Sequence, residues 1–287
     1  MENIFLIQVH KDTEQLRLLI KILSDVCDIC IHVDKKHDCA FKSLSLFVNS
    51  CDFIHKVQFT DERVNVFWGH VSQVKATFSL LKSAKKMNSY NFYTLLSGEC
   101  FPIKPLTDFL LFLSNSHGKN FIEAKKNICT SRVNNYHLFV DTSIYRSSPV
   151  FRFVIGSLGK SLSFIGVNSR FSSFVNIYKG SSWFTLNNNF VNLLISSESD
   201  LDKLKYSKCV DEIYFQSKLI NSDLSGTWVN NNLRTINWVQ GSNSPLFISD
   251  VDDLINTSDF FARKFDFRKN VSLRDELLKL IQENKAI

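Results

Sequence analysis

Apolar residues in this chain alternate between short dense runs and longer stretches that repeat every three to four positions. Asn3 to Val9, Ile29 to Val33, Phe53 to Val57 and Phe92 to Leu96 read as strands, and each is followed by polar or turn-forming residues. Between them, Asp12 is placed to cap a helix that runs to Leu23, and Val71 to Ala84 carries apolar side chains at Val71, Val74, Leu80, Leu81 and Ala84. Further along, Trp183 to Leu186 and Asn231 to Trp238 read as strands, while Val210 to Leu219 and Leu273 to Glu283 read as helices. Such repetition predicts an α/β fold with a mainly parallel central sheet flanked by helices. In sheets of this kind ligands bind beyond the carboxyl ends of the strands. Asp34, Trp68, Ser97 and Gly98 fall at or just past such ends.

The stretch from Asn127 to Lys179 is rich in Ser, Asn, Arg and aromatic residues with little periodicity. It is expected to form long loops and short helices over the sheet, where an acceptor could sit. No repeat, linker or compositional break divides the chain, so residues 1–287 are expected to form one domain.

Composition narrows the possibilities further. The net charge of +6 suits anionic substrates or an anionic membrane surface. Its densest patches, Lys35-Lys36 and Lys125-Lys126, are only pairs, too small for a nucleic-acid stripe. Seven cysteines, an odd number, point to reduced thiols. Cys27-Asp28-Ile29-Cys30 has the spacing of half a zinc site but lacks a second pair, and it leads into an apolar run, so both are read as small strand residues. Phe5-Leu6-Ile7 is too short for a signal or anchor, so the expected location is cytoplasmic, with peripheral contact at the inner face of the cell membrane.

Several familiar site types are missing: a Gly-rich phosphate loop, histidines at metal-ligand spacing, and a nucleophile elbow. Asp200-Leu201-Asp202 and Asp250-Val251-Asp252 have the form of a metal-binding pair but occupy helix-start or turn contexts, where capping is the simpler role. No metal or other cofactor is therefore expected. A diphosphate would then be neutralised by fixed cations, for which Arg263, Lys264 and Arg234 are candidates.

The segments that carry family character are Ile31-His32-Val33-Asp34-Lys35, Val66-Phe67-Trp68-Gly69, Gly180-Ser181-Ser182-Trp183-Phe184, Asp211-Glu212, Asn231-Asn232-Leu233-Arg234 and Phe260 to Phe265. In combination and order they resemble the core-2/I-branching and peptide O-xylosyltransferase family of inverting glycosyltransferases. The resemblance covers nearly the whole chain. It implies a GT-A-type domain in which residues 1–125 hold the nucleotide and residues 126–287 hold acceptor and diphosphate. By that resemblance Glu212 is the base; Val33, Asp34, Trp68, Gly69, Ser97, Gly98, Ser182, Trp183, Arg234, Arg263 and Lys264 contact the nucleotide sugar. Glu123, Arg132, Tyr136 and Trp238 are the corresponding acceptor-side candidates.

The implied reaction moves a sugar, N-acetylglucosamine in the first instance, from UDP to a saccharide hydroxyl. UDP-xylose, UDP-galactose or UDP-glucuronic acid would serve the same chemistry. Ser182 stands where xylosyltransferase-like members carry Asp, and Cys100 where many relatives carry an acidic residue. A bacterial setting in surface-polysaccharide assembly, on a lipid-linked acceptor, is the expected context. Two other readings predict different behaviour: a non-catalytic glycan- or nucleotide-binding protein, and a metal-dependent enzyme using Asp250 and Asp252.

Overall fold

The computed structural model describes residues 3–126, 131–166, 176–238 and 244–282. Its strands are β1 (Asn3–Val9), β2 (Asp28–Val33), β3 (Val57–Phe59), β4 (Phe92–Ser97), β5 (Phe101–Pro102), β6 (Asn120–Ile122), β7 (Lys125–Lys126), β8 (Tyr178–Lys179), β9 (Phe184–Asn187), β10 (Trp228–Val229), β11 (Arg234–Ile236) and β12 (Phe261–Arg263). The central sheet has the order β10-β6-β9-β4-β1-β2-β3. All neighbours in it run parallel except where β9 lies antiparallel to β4 and β6. A smaller sheet, β11-β12-β5, holds the late basic segment, and β7 pairs with β8 at the edge of the cleft. The fold is thus the mainly parallel α/β architecture expected.

Both faces of the central strands are covered, which is why β1 reads as a continuous apolar run rather than an alternating one. Phe5, Ile7 and Val9 pack on one side with Leu16, Leu19, Ile20 and Leu23 of the helix Glu14–Ser24. Ile4 and Leu6 point the other way, toward Val74, Phe78 and Leu81 of the helix Ser72–Met87. Cys30 and Cys27 are buried free thiols, and burial pushes each up to about 12. Among the described residues no helix is long and apolar enough to cross a membrane.

Several boundaries differ from those predicted, for local reasons. Thr13, not Asp12, caps the first helix through its hydroxyl, because Asp12 is held by Arg17 and Ser43. Phe53 stacks edge-on against Phe47 and leaves the third strand to begin at Val57. The helix expected from Val210 is broken at Ile213: a 3-10 turn covers Val210–Glu212, and the α-helix starts at Tyr214. Asn231 and Asn232 are turn residues rather than strand, since their side-chain oxygens accept the N–H groups of Leu233 and Arg234. The last helix is Val271–Gln282, and the expected terminus at Glu283 lies outside the described residues.

The largest departure is the helix Pro149–Phe164, sixteen residues long, in a stretch read as loops and short helices. Ser148 caps it by accepting from Phe151 N–H, and Pro149 fits the first turn, where its missing N–H costs nothing. Gly159 allows the helix to lie directly on the backbone of Tyr136, because a Cβ there would come within 2.1 Å of the Tyr136 carbonyl oxygen.

Arg234 joins the two sheets. It is 4% exposed, and its guanidinium donates to the carbonyls of Leu95 on β4 (2.8 Å), Phe184 on β9 (2.9 Å) and Asn232. Burial lowers its pKa to about 10, which leaves it charged at neutral pH. Replacing it by Met leaves buried carbonyls without a donor. We expect Arg234→Met to lower unfolding free energy by about 1–3 kcal/mol in urea titrations. A loss below about 1 kcal/mol would show that these bonds are dispensable.

Candidate active site

A cleft of about 990 Å³ opens at the carboxyl edge of the central sheet. Residues lining it include Val9 and His10 at the end of β1, His32 and Asp34 at the end of β2, and Leu95 and Ser97 of β4. Its lining includes seven Lys or Arg residues (Lys36, Lys125, Lys126, Arg146, Lys179, Arg263 and Lys264) and five carboxylates (Asp34, Glu99, Glu123, Asp211 and Glu212). That excess of positive charge in a concave site favours an anionic ligand. Among the described residues no group of His, Cys, Asp and Glu is placed to hold a metal. Neither Asp200-Leu201-Asp202 nor Asp250-Val251-Asp252 lines the cleft: Asp200 pairs with Lys203 and Lys218, and Asp250 accepts the N–H of Asp252.

The end of β2 is held rigidly. Arg63 donates to the carbonyls of Val33, Asp34 and Lys35, and Asp34 accepts the N–H groups of Lys36 and Val66. Val33 is fully buried, so its part is to place Asp34. His32 accepts the N–H of Val64 at 2.9 Å through Nε2, which needs a neutral ring. Burial accordingly drives its pKa down to about 4.

Trp68 is exposed on the cleft rim, and Gly69 behind it takes a left-handed conformation (φ 72°) suited to glycine. The Gly69 carbonyl accepts from Cys209 N–H at 2.7 Å, and Cys209 is itself left-handed (φ 52°). These two turns lock the Asp211-Glu212 segment to the start of the helix Ser72–Met87.

Glu212 is one focus of the site. Its Oε2 is 2.7 Å from Arg132 Nη1 and 3.4 Å from Lys179 Nζ. Its backbone carbonyl accepts from Gly180, where no side chain fits: a Cβ would lie 1.7 Å from the carbonyl oxygen of Glu123. Glu123 also lines the cleft and accepts from Asn232 Nδ2 at 3.3 Å. Asp211 accepts from the Ser182 hydroxyl at 2.7 Å, yet burial, reinforced by the Glu212 charge, pushes its pKa up to about 6.

The second focus is Arg263 and Lys264. Both cations share Glu99, with Arg263 Nη2 3.4 Å from Oε2 and Lys264 Nζ 3.4 Å from Oε1. The Arg263 guanidinium lies 4.7 Å over the Trp183 ring, and Lys264 faces Phe247 at 4.9 Å. Because Trp183 follows Ser182 and Glu212 follows Asp211, the stacked guanidinium and the Ser182–Asp211 bond connect Arg263 to Glu212 through two contacts and two chain steps.

Other expected residues fall elsewhere. Ser97 lines the cleft, but Gly98 faces an adjoining cavity of about 520 Å³ that Lys264 also borders. Trp238 is 59% exposed and lines the cleft, so it is not a buried strand residue. Arg132 reaches the site only through Glu212, and the Tyr136 ring packs on Tyr206 away from the lining. Arg234, buried between the two sheets, is not on the cleft wall, and its Nη1 and Nη2 groups donate to main-chain carbonyls.

Sequence reasoning missed Glu99, Lys179, His10, His37 and Arg146. Glu99 and Lys179 each adjoin a segment already singled out, Ser97-Gly98 and Gly180-Ser181, and adjacency was the available signal.

The mainly parallel sheet and the cation-rich cleft at its carboxyl edge define an α/β protein with a concave site for an anionic ligand. More specifically, the chain belongs to the core-2/I-branching enzyme family, whose model matches residues 4–253. It is therefore a member of a glycosyltransferase family. It is similar to xylosyltransferase 1 of Rattus norvegicus, at 27% identity over 220 residues, covering 72% of this chain and 24% of that protein. It also matches xylosyltransferase sqv-6 of Caenorhabditis elegans, at 23% identity over 265 residues, covering 82% of this chain and 31% of that protein. The chain thus spans about a quarter to a third of the length of these curated relatives. A crystal structure of mouse xyloside xylosyltransferase 1, apo form, aligns with 83% of this chain and 88% of its own, at 10% identity and a TM-score of 0.38.

Two expectations follow from this geometry. Unfolded, His32 takes up a proton near 6.5; folded, it resists until about 4. Its contribution is complete above the higher value and is lost as pH falls toward the lower, by about 3 kcal/mol. Denaturant titrations between pH 7 and pH 4 should therefore show a shallower loss for His32→Gln than for the natural protein; equal slopes would refute it. Glu99→Gln frees both cations from their shared carboxylate, so UDP affinity by calorimetry in EDTA should rise about tenfold. Weaker binding would mean that Glu99 orients the cations rather than competing for them.

Proposed function

We propose that this protein is an inverting, metal-independent glycosyltransferase that moves a sugar from UDP to a saccharide hydroxyl in a β linkage. The observation that carries this reading is the presence, in one cleft, of the Arg263–Lys264 pair and of Glu212, linked through Trp183, Ser182 and Asp211. Lys264 and Arg263 neutralise the diphosphate as the bond between the anomeric carbon and its oxygen breaks. The acceptor oxygen bonds to that carbon from the other side, and its proton passes to Glu212. A departing diphosphate needs charge neutralisation rather than an acid, so one carboxylate suffices. Arg132 and Lys179 both hold Oε2 of Glu212, and Oε1 is the oxygen offered to the acceptor.

N-acetylglucosamine is the proposed donor sugar, in keeping with the branching enzymes of the family. UDP-xylose is the second reading, favoured by the names of the relatives above. UDP released from a panel of UDP-sugars separates the two. The proposed acceptor is a saccharide carried on a lipid, in bacterial surface-polysaccharide synthesis at the inner face of the membrane. The basic charge supports that setting.

Thermal-shift binding of UDP tests the site. Stabilisation is expected in EDTA, and Lys264→Ala should weaken UDP binding on the order of thirtyfold. Stabilisation that appears only with Mn²⁺ would overturn the metal-independent reading. Glu212→Gln should lower turnover by about 10²–10⁴-fold while UDP binding stays intact. Unchanged turnover would remove Glu212 from the chemistry.

A further inference from the structure

The helix Pro149–Phe164 buries one side and presents an apolar face on another. Ile155 and Gly159 pack inward, whereas Val150 (73% exposed), Phe153 (75%), Val154, Leu158, Phe164 (93%) and Ile165 face outward. At 100° per residue these six side chains occupy an arc of about 140°, interrupted only by Ser157 and Ser161. Isolated apolar residues on a surface are ordinary, but a contiguous set on one helix marks an interaction face.

Charge identifies its partner. Arg152 and Lys160 are exposed on the same helix, and Arg146 is exposed one turn before it. From Asp141 to Glu198 the intervening sequence contains no Asp or Glu. An apolar helix face with Lys160 at its edge, on a helix that carries cations and no carboxylate, is complementary to an anionic lipid interface, where Phe and Leu enter the acyl boundary and basic groups remain among the headgroups. A second copy of the chain fits poorly, because a symmetric contact would place Lys160 of both copies at one seam with no carboxylate on either helix to pair them.

We propose that the helix Pro149–Phe164 is a peripheral membrane-docking element that binds anionic phospholipid surfaces. This does not depend on the donor or base assignments above. It does bear on acceptor access. Gly159 seats the helix on Tyr136, four residues from the Arg132 that grips Glu212, and Arg146 lines the cleft itself. A docked helix therefore sets the acceptor side of the cleft beside the lipid surface.

Co-sedimentation of the full chain with vesicles tests this, using phosphatidylcholine alone and phosphatidylcholine mixed with phosphatidylglycerol. Binding is expected to the mixed vesicles, to weaken with added salt, and to be much lower on phosphatidylcholine alone. Phe153→Ser with Phe164→Ser should lower partitioning on the order of a hundredfold. Arg152→Gln with Lys160→Gln should lower it about thirtyfold. Both pairs should keep the UDP-dependent thermal shift, which separates failure of docking from failure of the active site or the fold. No binding to mixed vesicles, or binding that neither pair reduces, overturns the proposal. So does a dimer in analytical ultracentrifugation that the Phe pair converts to monomer, since the face would then belong to a second copy.

Discussion

The geometry of the site depends on one buried cation. Arg234 lies where β4, β9 and β11 converge, and it satisfies main-chain carbonyls rather than a carboxylate. A charge in that position is costly to desolvate and is tolerated because several directed donors meet acceptors that the strands leave open. Through β11 it fixes β12, and β12 ends at Arg263. Arg234 also lies 5.7 Å from the Phe261 ring, so its packing and its hydrogen bonds act on the same strand. The cationic end of the cleft is thus registered against the ends of β4 and β9 by a residue that does not line it.

The cleft itself is organised around shared carboxylates. Glu99 sits between Arg263 and Lys264, and Glu212 between Arg132 and Lys179. Each carboxylate draws two basic side chains to one place, and at Glu99 it competes with an anionic ligand for them. The two centres differ in what they leave for a ligand. At Glu99 the surplus is positive and suits phosphate oxygens. At Glu212 a carboxylate is held by cations on one oxygen, and in the adjacent residue burial raises the Asp211 pKa to about 6 against the opposing pull of the Ser182 hydroxyl.

The middle of the chain adds a different kind of surface. Its long helix is attached on one side by a glycine contact too close for any side chain, and its opposite side is apolar with Lys160 at one edge. Packing against Tyr136 ties this helix to the segment that positions Arg132. The proposed surface attachment and the proposed acceptor side therefore share one piece of structure.

How much of this could be read beforehand follows from which interactions are local. Strand and helix patterns, the parallel sheet and the carboxyl-edge location of Asp34, Trp68 and Ser97 were legible, because burial on both faces and the 3.6-residue period leave a trace in consecutive residues. The segment order that marks the family was legible for the same reason. What the chain alone did not determine were contacts between residues far apart in it. Arg234 and Arg263 have the same side chain and lie near one another in sequence, yet one is buried against carbonyls and the other faces the cleft. Glu99 meets Lys264 across more than half the chain, and Arg132 meets Glu212 across a gap of eighty residues. Such pairings are set by strand order and by left-handed turns at Gly69 and Cys209, so only the tertiary structure decides them.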